Sequence, residues 1–288
     1  MTEQELLQER ARLWRVDGHP VRTIEDARSF LQSTGFSLLY PVRSLPAVPT
    51  FIGAYAGSAE GLPDGRHAFA DPRTAPATEL MVRLLREHTA YEINFLPESS
   101  LLVSAEMFPF LYALVGDRNA KGAPKIKAQG ARVSPLGLKV FEAIQNRGPL
   151  SKGQLRELVG REPTTAALDR ALNELWSILK ITRVNYSESE GAVWDLLYRW
   201  APKVVKEGTE LSLQEAISGL LGKYLDTVVA AEQEEIEQFF SQMVSRAKIR
   251  ETLHALQAAR QLKLTTIGAK AMFQVPPEPI QPRRRIHG

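Results

Sequence analysis

The sequence has no cysteine among its 288 residues, and it has no long hydrophobic run. Without cysteine there are no disulfides, thiolate metal sites or cysteine nucleophiles, and a reducing cytoplasm is the expected location. No apolar run approaches the roughly 20 residues that a helix needs to span a bilayer. The charged start, MTEQELLQERARLW, has no signal-peptide core. We therefore expect a cytoplasmic protein that has no membrane partner.

Enzyme signatures are equally scarce. The sequence contains no Walker A loop and no GxGxxG, HExxH or GxSxG motif. Histidines are few and scattered, without the spacing of metal ligands, so we expect no metal and no other cofactor. The five histidines are His19, His67, His88, His254 and His287.

One cluster in the N-terminal half combines acid, imidazole and phenol side chains, which are residue types that serve in acid–base catalysis. Its members are Glu87, His88, Tyr91 and Glu92. No local spacing fixes these side chains against one another. A structural role is the simpler interpretation, and a place in a functional site is the alternative.

The overall composition is that of an ordinary globular protein, with 44% hydrophobic and 24% charged residues. Lysine and arginine number 36 and aspartate and glutamate 33, which gives a formal net charge of +3. This mild excess is compatible with a nucleic-acid partner, but it is also common in proteins without one.

Residues 1–118 have the pattern of an N-terminal helical or winged domain. A capping box at Thr23–Asp26 starts a helix that runs to Thr34, and a strand-like run, Phe36–Tyr40, follows. Residues 44–76 are rich in proline, glycine and alanine and predict a long irregular loop. Further helices are predicted at 3–15, near 51–55, at 77–89 and at 104–116, with a short buried segment at 92–97.

A basic, glycine-containing linker is predicted at 119–133, and beyond it one order of elements occurs twice. Residues 134–204 and 211–275 each predict a helix, a short helix, a third helix and a β-hairpin, which is the order of a winged helix. The tail, 276–288, has a disordered composition. The expected fold class is mainly α with small β-hairpins (α+β), organised as tandem winged-helix domains.

Capping residues and apolar periodicity place the elements of these two domains. In the first, helices are predicted at 135–146, 151–160 and 165–180, and strands at 181–186 and 192–200. In the second, helices are predicted at 213–229, 232–240 and 246–260, and strands at 262–267 and 271–275.

The third helix of each predicted winged helix has an apolar stripe and a polar face. In helix-turn-helix proteins the corresponding helix enters the major groove and presents polar side chains to bases and phosphates. A solvated helix face or a protein-binding surface is the alternative interpretation. The candidate DNA-binding residues are Arg170, Asn173 and Ser177 in the first domain and Arg246, Lys248, Arg250 and His254 in the second.

Basic residues of the linker are further candidates for phosphate contact, which needs positive charge but little shape. They are Lys125, Lys127 and Arg132. A solubilising linker is an equally good interpretation, and the run Arg283–Arg285 in the tail is weaker evidence of the same kind.

Three segments carry a family pattern. The stretch Leu80–Leu114 contains MFPFLYAL, and it is followed by SPLGLKVFEAIQNRGPLSKGQLRELVG and AALDRALNELWSILKITRV. These segments resemble AlkZ-related bacterial proteins, which are relatives of the AlkZ/YcaQ DNA glycosylases, and the similarity covers roughly residues 23–275. The resemblance implies tandem winged helices and duplex DNA as the partner. It also implies hydrolysis of the N-glycosidic bond of alkylated or crosslinked bases.

The resemblance further implies a catalytic pattern of Gln–apolar–Gln, early in the chain and just before a Pro-Val-like step, that positions a water molecule. The matching run here is Leu38–Val42, so Leu38 and Tyr40 stand at the two polar positions. A leucine has no lone pair or proton with which to position water, and a tyrosine is a poor base at neutral pH. The usual glycosylase mechanism is therefore expected to be lost, unless the acid–imidazole–phenol cluster substitutes for it.

Three hypotheses remain. The leading one is a DNA-binding, nucleoid-associated protein of the glycosylase type that recognises damaged duplex DNA without the usual catalytic pair. The second is an active but atypical DNA glycosylase. The third is a winged-helix transcription regulator, or a non-catalytic factor that binds protein.

Overall fold

The computed structural model describes residues 1–63, 71–96, 99–125, 132–160, 163–187 and 189–276. Within these ranges no helix is long and apolar enough to cross a bilayer. Several predictions fall outside the described residues: they concern His67, Lys127, Arg283–Arg285, His287 and the tail beyond Pro276.

The chain forms three units of similar element order, which we call the first, middle and third unit. Helix α1 (Glu3–Leu13) precedes the first unit, which consists of α2 (Ile24–Thr34), β1 (Phe36–Leu38), α3 (Phe51–Ala56), α4 (Ala75–Arg86), β2 (Ala90–Ile93) and β3 (Leu101–Ser104). Helix α5 (Phe108–Val115) leads to the middle unit, which consists of α6 (Pro135–Arg147), β4 (Leu150–Ser151), α7 (Lys152–Val159), α8 (Thr165–Ser177), β5 (Ile181–Ser187) and β6 (Gly191–Leu196). After α9 (Leu197–Trp200) and α10 (Pro202–Glu210), the third unit consists of α11 (Leu213–Val228), α12 (Gln233–Phe240), α13 (Arg246–Ala258), β7 (Lys263–Ile267) and β8 (Lys270–Gln274).

The strand topology is the same in the first and middle units. Their antiparallel sheets have the strand orders β1-β3-β2 and β4-β6-β5. In the third unit β7 pairs with β8, and Ala231, which lies just before α12, bridges to Phe273 of β8 where the middle unit has β4. The first and middle units both follow the order helix, strand, helix, helix, strand, strand, and the first unit has long insertions after β1 and α3.

Helix α2 begins and ends where the sequence predicts. The backbone N–H of Asp26 donates to the Thr23 hydroxyl at 3.1 Å, and the Asp26 carboxylate accepts from the Thr23 N–H at 3.0 Å. A capping interaction of this kind stabilises a helix by about 1 kcal/mol. Gly35 ends the helix with a φ of +73°, and a Cβ there would lie 2.6 Å from a Lys223 side-chain carbon. Both the backbone conformation and the close approach therefore require glycine.

The predicted helix at 104–116 starts later than the sequence suggested, because Ser104 belongs to a strand. The Ser104 N–H donates to the carbonyl of Gly35 at 2.8 Å, and Ser104 pairs with Ala90 in the sheet. Strand β3 was not predicted, because all four of its residues are buried and it therefore has no polar–apolar alternation. Pro109, which has no N–H, fits the first turn of α5.

The predicted strand at 192–200 is also shorter, since β6 ends at Leu196 and α9 follows directly. Asp195 and Arg199 form an ion pair across this turn.

Helix α10, which was not predicted, lies between the two C-terminal units and packs against α5. Gly208 of α10 makes this packing close, because a Cβ there would lie 2.8 Å from the Pro109 carbonyl oxygen.

The hydrophobic core is divided unequally among the units. The middle unit has a core of its own, centred on Phe141, Leu172 and Trp194. One face of the first sheet packs on that unit's own helices, and the other face shares one large core with α5, α10 and the third unit, where Phe36 packs against the rings of Tyr224 and Phe239. The first and third units are therefore joined by buried apolar surface, which is the main stabilising term in folding.

Arg10 attaches helix α1 to the third unit. The buried Arg10 donates from Nε to the Val228 carbonyl at 2.8 Å and from Nη2 to the Ala230 carbonyl at 2.7 Å. These carbonyls flank Val229, whose φ of +67° ends α11. Arg10 thus satisfies backbone acceptors that the end of α11 leaves without partners in the helix.

Candidate functional site

The segment that corresponds to the expected catalytic pair lies at one end of the first sheet. Leu38 pairs with Leu101, and Leu101 pairs with Ile93, so β1 and β2 both end at this edge. Leu38 is 1% exposed and Tyr40 is 7% exposed. Leu38 is therefore part of the core and presents no polar atom to a ligand.

Tyr40 is held in place and has a phenol that is difficult to ionise. Its backbone N–H donates to the Ser99 hydroxyl at 2.9 Å. Burial raises the pKa of Tyr40 to about 12, and the nearby negative charge of Glu92 adds to the rise, although Arg183 acts in the opposite direction. The phenol is therefore neutral at physiological pH and is unsuited to removing a proton from water.

Glu92 forms an ion pair that joins the first unit to the middle unit. Its carboxylate Oε1 accepts from Arg183 Nη1 of β5 at 2.8 Å and from the Ser100 hydroxyl at 2.5 Å. The Glu92 side chain is fully buried, whereas that of Arg183 is about one-third exposed. Within the described part of the chain, Glu92 Oε2 and Arg183 Nε are buried without a hydrogen-bond partner.

Two tryptophans of the middle unit enclose this ion pair. The Arg183 guanidinium carbon lies 4.4 Å from the ring centroid of Trp176 and 5.1 Å from that of Trp194. The two rings meet edge to face with centroids 5.1 Å apart, and Trp176 Nε1 donates to the Glu92 carbonyl at 3.1 Å. These aromatic side chains pack a charged interface between units, in agreement with the structural role that is usual for such residues.

The other members of the acid–imidazole–phenol cluster point elsewhere. Glu87 forms an ion pair with Arg28 at 2.5 Å, and the His88 ring stacks on Trp200 with centroids 4.3 Å apart. Tyr91 is buried against Phe108, and burial raises its pKa to about 12. Of the four candidates, Glu92 is the one whose charge acts on Tyr40.

A cleft of about 330 Å³ begins directly after Glu92 and is lined by all three units. We call it the three-unit cleft. Apolar side chains line it together with amide and hydroxyl groups. The lining residues are Ile93, Asn94, Phe95, Leu96, Val115, Asn173, Ser177, Gln242 and Met243.

The DNA-binding candidates on α8 are all exposed, and two of them, Asn173 and Ser177, line the three-unit cleft. Arg170 lies on the same helix outside the cleft lining. The β5–β6 hairpin of the middle unit, in contrast, is docked on the first unit: Arg86 of α4 donates to the Asn185 side chain of β5 at 2.5 and 3.0 Å.

The DNA-binding candidates on α13 are also exposed, but two of them already pair within the protein. Arg250 donates to both carboxylate oxygens of Glu237 on α12, at 2.6 and 2.8 Å. Lys248 pairs with Glu251 at 2.8 Å. Arg246 and His254 are exposed on the same helix. Arg250 pairs with this buried carboxylate, so part of the positive charge of α13 is neutralised within the protein.

The linker candidates Lys125 and Arg132 line a second cleft, of about 350 Å³. Its wall is held by the buried Lys180, whose Nζ donates to the carbonyls of Asn119 and Gly122 at 2.5 and 2.7 Å and pairs with Asp117 at 3.0 Å. The start of the predicted linker is therefore bound to the middle unit.

The sequence did not reveal Arg183, Phe95 or Gln242 as parts of a site. Arg183 is 91 residues from Glu92, and no local pattern connects them. The available signal was an arginine within a predicted strand, between Thr182 and Val184, since a charge that a strand buries calls for a partner.

Comparisons with known proteins agree with this architecture. The profile of the family described as DNA glycosylase AlkZ-like matches residues 70–286, a range that begins after Leu38 and Tyr40. Among solved structures, the DNA glycosylase AlkZ of Streptomyces sahachiroi matches 96% of this chain and 70% of its own, with a TM-score of 0.59 and 13% sequence identity. At this identity the likeness shows the fold alone. No curated protein matches the sequence.

Proposed function

The chain belongs to the DNA glycosylase AlkZ-like family, and we propose that it binds damaged duplex DNA without the usual water-activating pair. The observation that carries this proposal is the burial of Leu38, which has no polar atom, beside a Tyr40 whose pKa is raised to about 12. Hydrolysis of a glycosidic bond needs a group that positions or deprotonates water. Leu38 can do neither, and the neutral phenol of Tyr40 cannot deprotonate water.

The proposed DNA contacts are the exposed polar faces of α8 and α13 and the basic linker residues. Arg170 and Arg246 carry the positive charge of the two helices that lies outside the Arg250–Glu237 and Lys248–Glu251 pairs. Phosphate neutralisation by such groups releases counterions, so affinity falls with rising salt, with a log–log slope of about −0.9 for each phosphate contacted.

A salt series of fluorescence anisotropy with plain, nicked and alkylated duplexes tests the proposal. We expect binding that weakens with salt, with a slope of about −3 or steeper. Arg246→Ala should make the slope shallower by about 1. The matched control is Lys203→Ala, which removes an exposed lysine of α10 and should leave the slope unchanged. Absence of binding even at low salt would contradict the proposal.

A second candidate function is an active, atypical glycosylase that uses Glu92. The observation in its favour is that the negative charge of Glu92 contributes to the raised pKa of Tyr40. Its ion pair with Arg183 and its complete burial weigh against it. The test is to incubate alkylated or crosslinked oligonucleotides with the protein and measure abasic sites. Base release that Glu92→Gln abolishes would favour this candidate over the first.

A further inference from the structure

The lining of the three-unit cleft is electrically neutral among the described residues, which separates it from the basic surfaces proposed to contact phosphate. Ile93, Val115 and Met243 provide apolar walls. Side-chain amides and a hydroxyl complete the lining, and amides offer both donors and acceptors. A ligand that fits this chemistry is uncharged and carries hydrogen-bonding groups.

The aromatic residue of the cleft is fixed in position. Phe95 is partly buried, and its ring packs against that of Phe239 with centroids 5.1 Å apart. A ring held in this way can accept a planar ligand on its free side without losing further conformational freedom. Stacking of bases on aromatic side chains is largely independent of base identity, because every base has a π-face.

Asn173 and Gln242 belong to different units, and both line this cleft. Asn and Gln amides are suited to base edges, since a base presents adjacent donors and acceptors. The volume of about 330 Å³ is near the lower end of small-ligand sites, which run from about 300 to 1,000 Å³. A single heterocycle fits it better than a peptide segment.

We propose that the three-unit cleft binds one unpaired nucleobase of a DNA ligand, with Phe95 stacked on the base and Asn173 and Gln242 bonding its edge. The proposal rests on the DNA binding proposed above and adds the chemical class that this site takes. A base must leave the helical stack to enter the cleft, so a base that is already unpaired binds more readily.

The test compares three labelled duplexes of otherwise equal sequence. One is fully paired, one carries a single bulged adenine, and one carries a bulged tetrahydrofuran nucleotide, which bends the duplex in a similar way but has no base. We expect the wild type to bind the adenine bulge about tenfold more tightly than the tetrahydrofuran bulge, in the range of one base–aromatic stack.

The variant Asn173→Ala/Gln242→Ala should lose most of this preference, so that its affinities for the adenine bulge and the tetrahydrofuran bulge become nearly equal. Both residues are exposed, so the change should leave the fold intact. The matched control, Gln145→Ala/Asn146→Ala, removes two exposed amides near the end of α6, outside the cleft lining, and should retain the preference.

Each of the other possible outcomes contradicts a specific part of the two proposals. Equal affinity for the two bulges overturns the base-binding cleft and leaves DNA binding standing. A preference that survives the cleft variant, or that the control variant also loses, overturns the assignment to these residues. Failure of the wild type to bind any of the duplexes at low salt overturns DNA binding and this proposal together.

Discussion

Leu38 and Tyr40 lie at and just beyond the end of β1, where the family resemblance led us to expect a polar pair. Their position at the end of the first strand follows from the sequence, because the capping box at Thr23 and the glycine at 35 fix where α2 starts and ends. The burial of Leu38 depends on Leu101 and Ile93, which lie far along the chain, so the sequence alone could not predict it.

Introducing a polar side chain at Leu38 should therefore destabilise the protein. Leu38→Gln places an amide in the core, and we expect the free energy of unfolding to fall by about 3 kcal/mol. Urea unfolding followed by circular dichroism measures the change. The control is Leu264→Gln in strand β7, where the leucine is 51% exposed and the change should stay within about 0.5 kcal/mol. Equal effects at the two sites would contradict the burial of Leu38.

Glu92 and Arg183 should depend on each other for their contribution to stability. Removing one partner of a buried ion pair leaves the other without compensation, so we expect Glu92→Gln to cost about 3 kcal/mol. In a double-mutant cycle with Arg183→Met the two costs should not add, with a coupling of at least about 1 kcal/mol. The exposed pair Lys203–Glu207, at 3.9 Å, is the control cycle and should couple by less than about 0.5 kcal/mol.

At the scale of elements, helices with capping residues and an apolar stripe were predicted well, and short or fully buried elements were not. Helices α6, α8 and α13 lie within two or three residues of their predicted bounds. Strand β3 and helix α10 were missed, although Pro202 at the start of α10 and the apolar pair Val204 and Val205 are signals that could have identified the helix.

The packing of α12 on α13 should depend on pH through Glu237. The hydrogen bonds from Arg250 hold the pKa of Glu237 below its ordinary value of 4.5. The ion pair therefore stabilises the folded state above that value, and the stabilisation is lost as the pH falls through the lowered pKa. We expect Glu237→Gln to have a lower Tm than the wild type at pH 7, with the difference shrinking below about pH 4.5.

Differential scanning calorimetry between pH 7 and pH 3 measures this difference. The control is Glu251→Gln, which removes the partner of Lys248 from an exposed pair on the same helix and should change Tm little at any pH. A Glu237 effect that is independent of pH would contradict the role of the ion pair.

For the whole molecule, the distribution of the core predicts which parts fold alone. The middle unit has its own core, whereas the sheet of the first unit packs one face on that unit's own helices and contributes the other face to a core that it shares with the third unit. We expect a fragment of residues 132–200 to unfold cooperatively in urea, and a fragment of residues 1–125 to unfold at a lower urea concentration than the whole chain, because one apolar face of its sheet has lost its partner. Tryptophan fluorescence and circular dichroism follow both fragments. An equal unfolding midpoint for the second fragment and the whole chain would contradict the shared core.

The attachment of α1 to the third unit has a consequence for the order in which the protein is made. Arg10 and its acceptor Val228 are 218 residues apart. At a synthesis rate of about 5–20 residues per second, roughly ten to forty seconds separate their emergence from the ribosome. During this interval the middle unit can form its own core, whereas the part of the third unit to which α1 binds has not yet been synthesised. Helix α1 is thus placed only after α11 has been synthesised, long after α1 itself has left the ribosome.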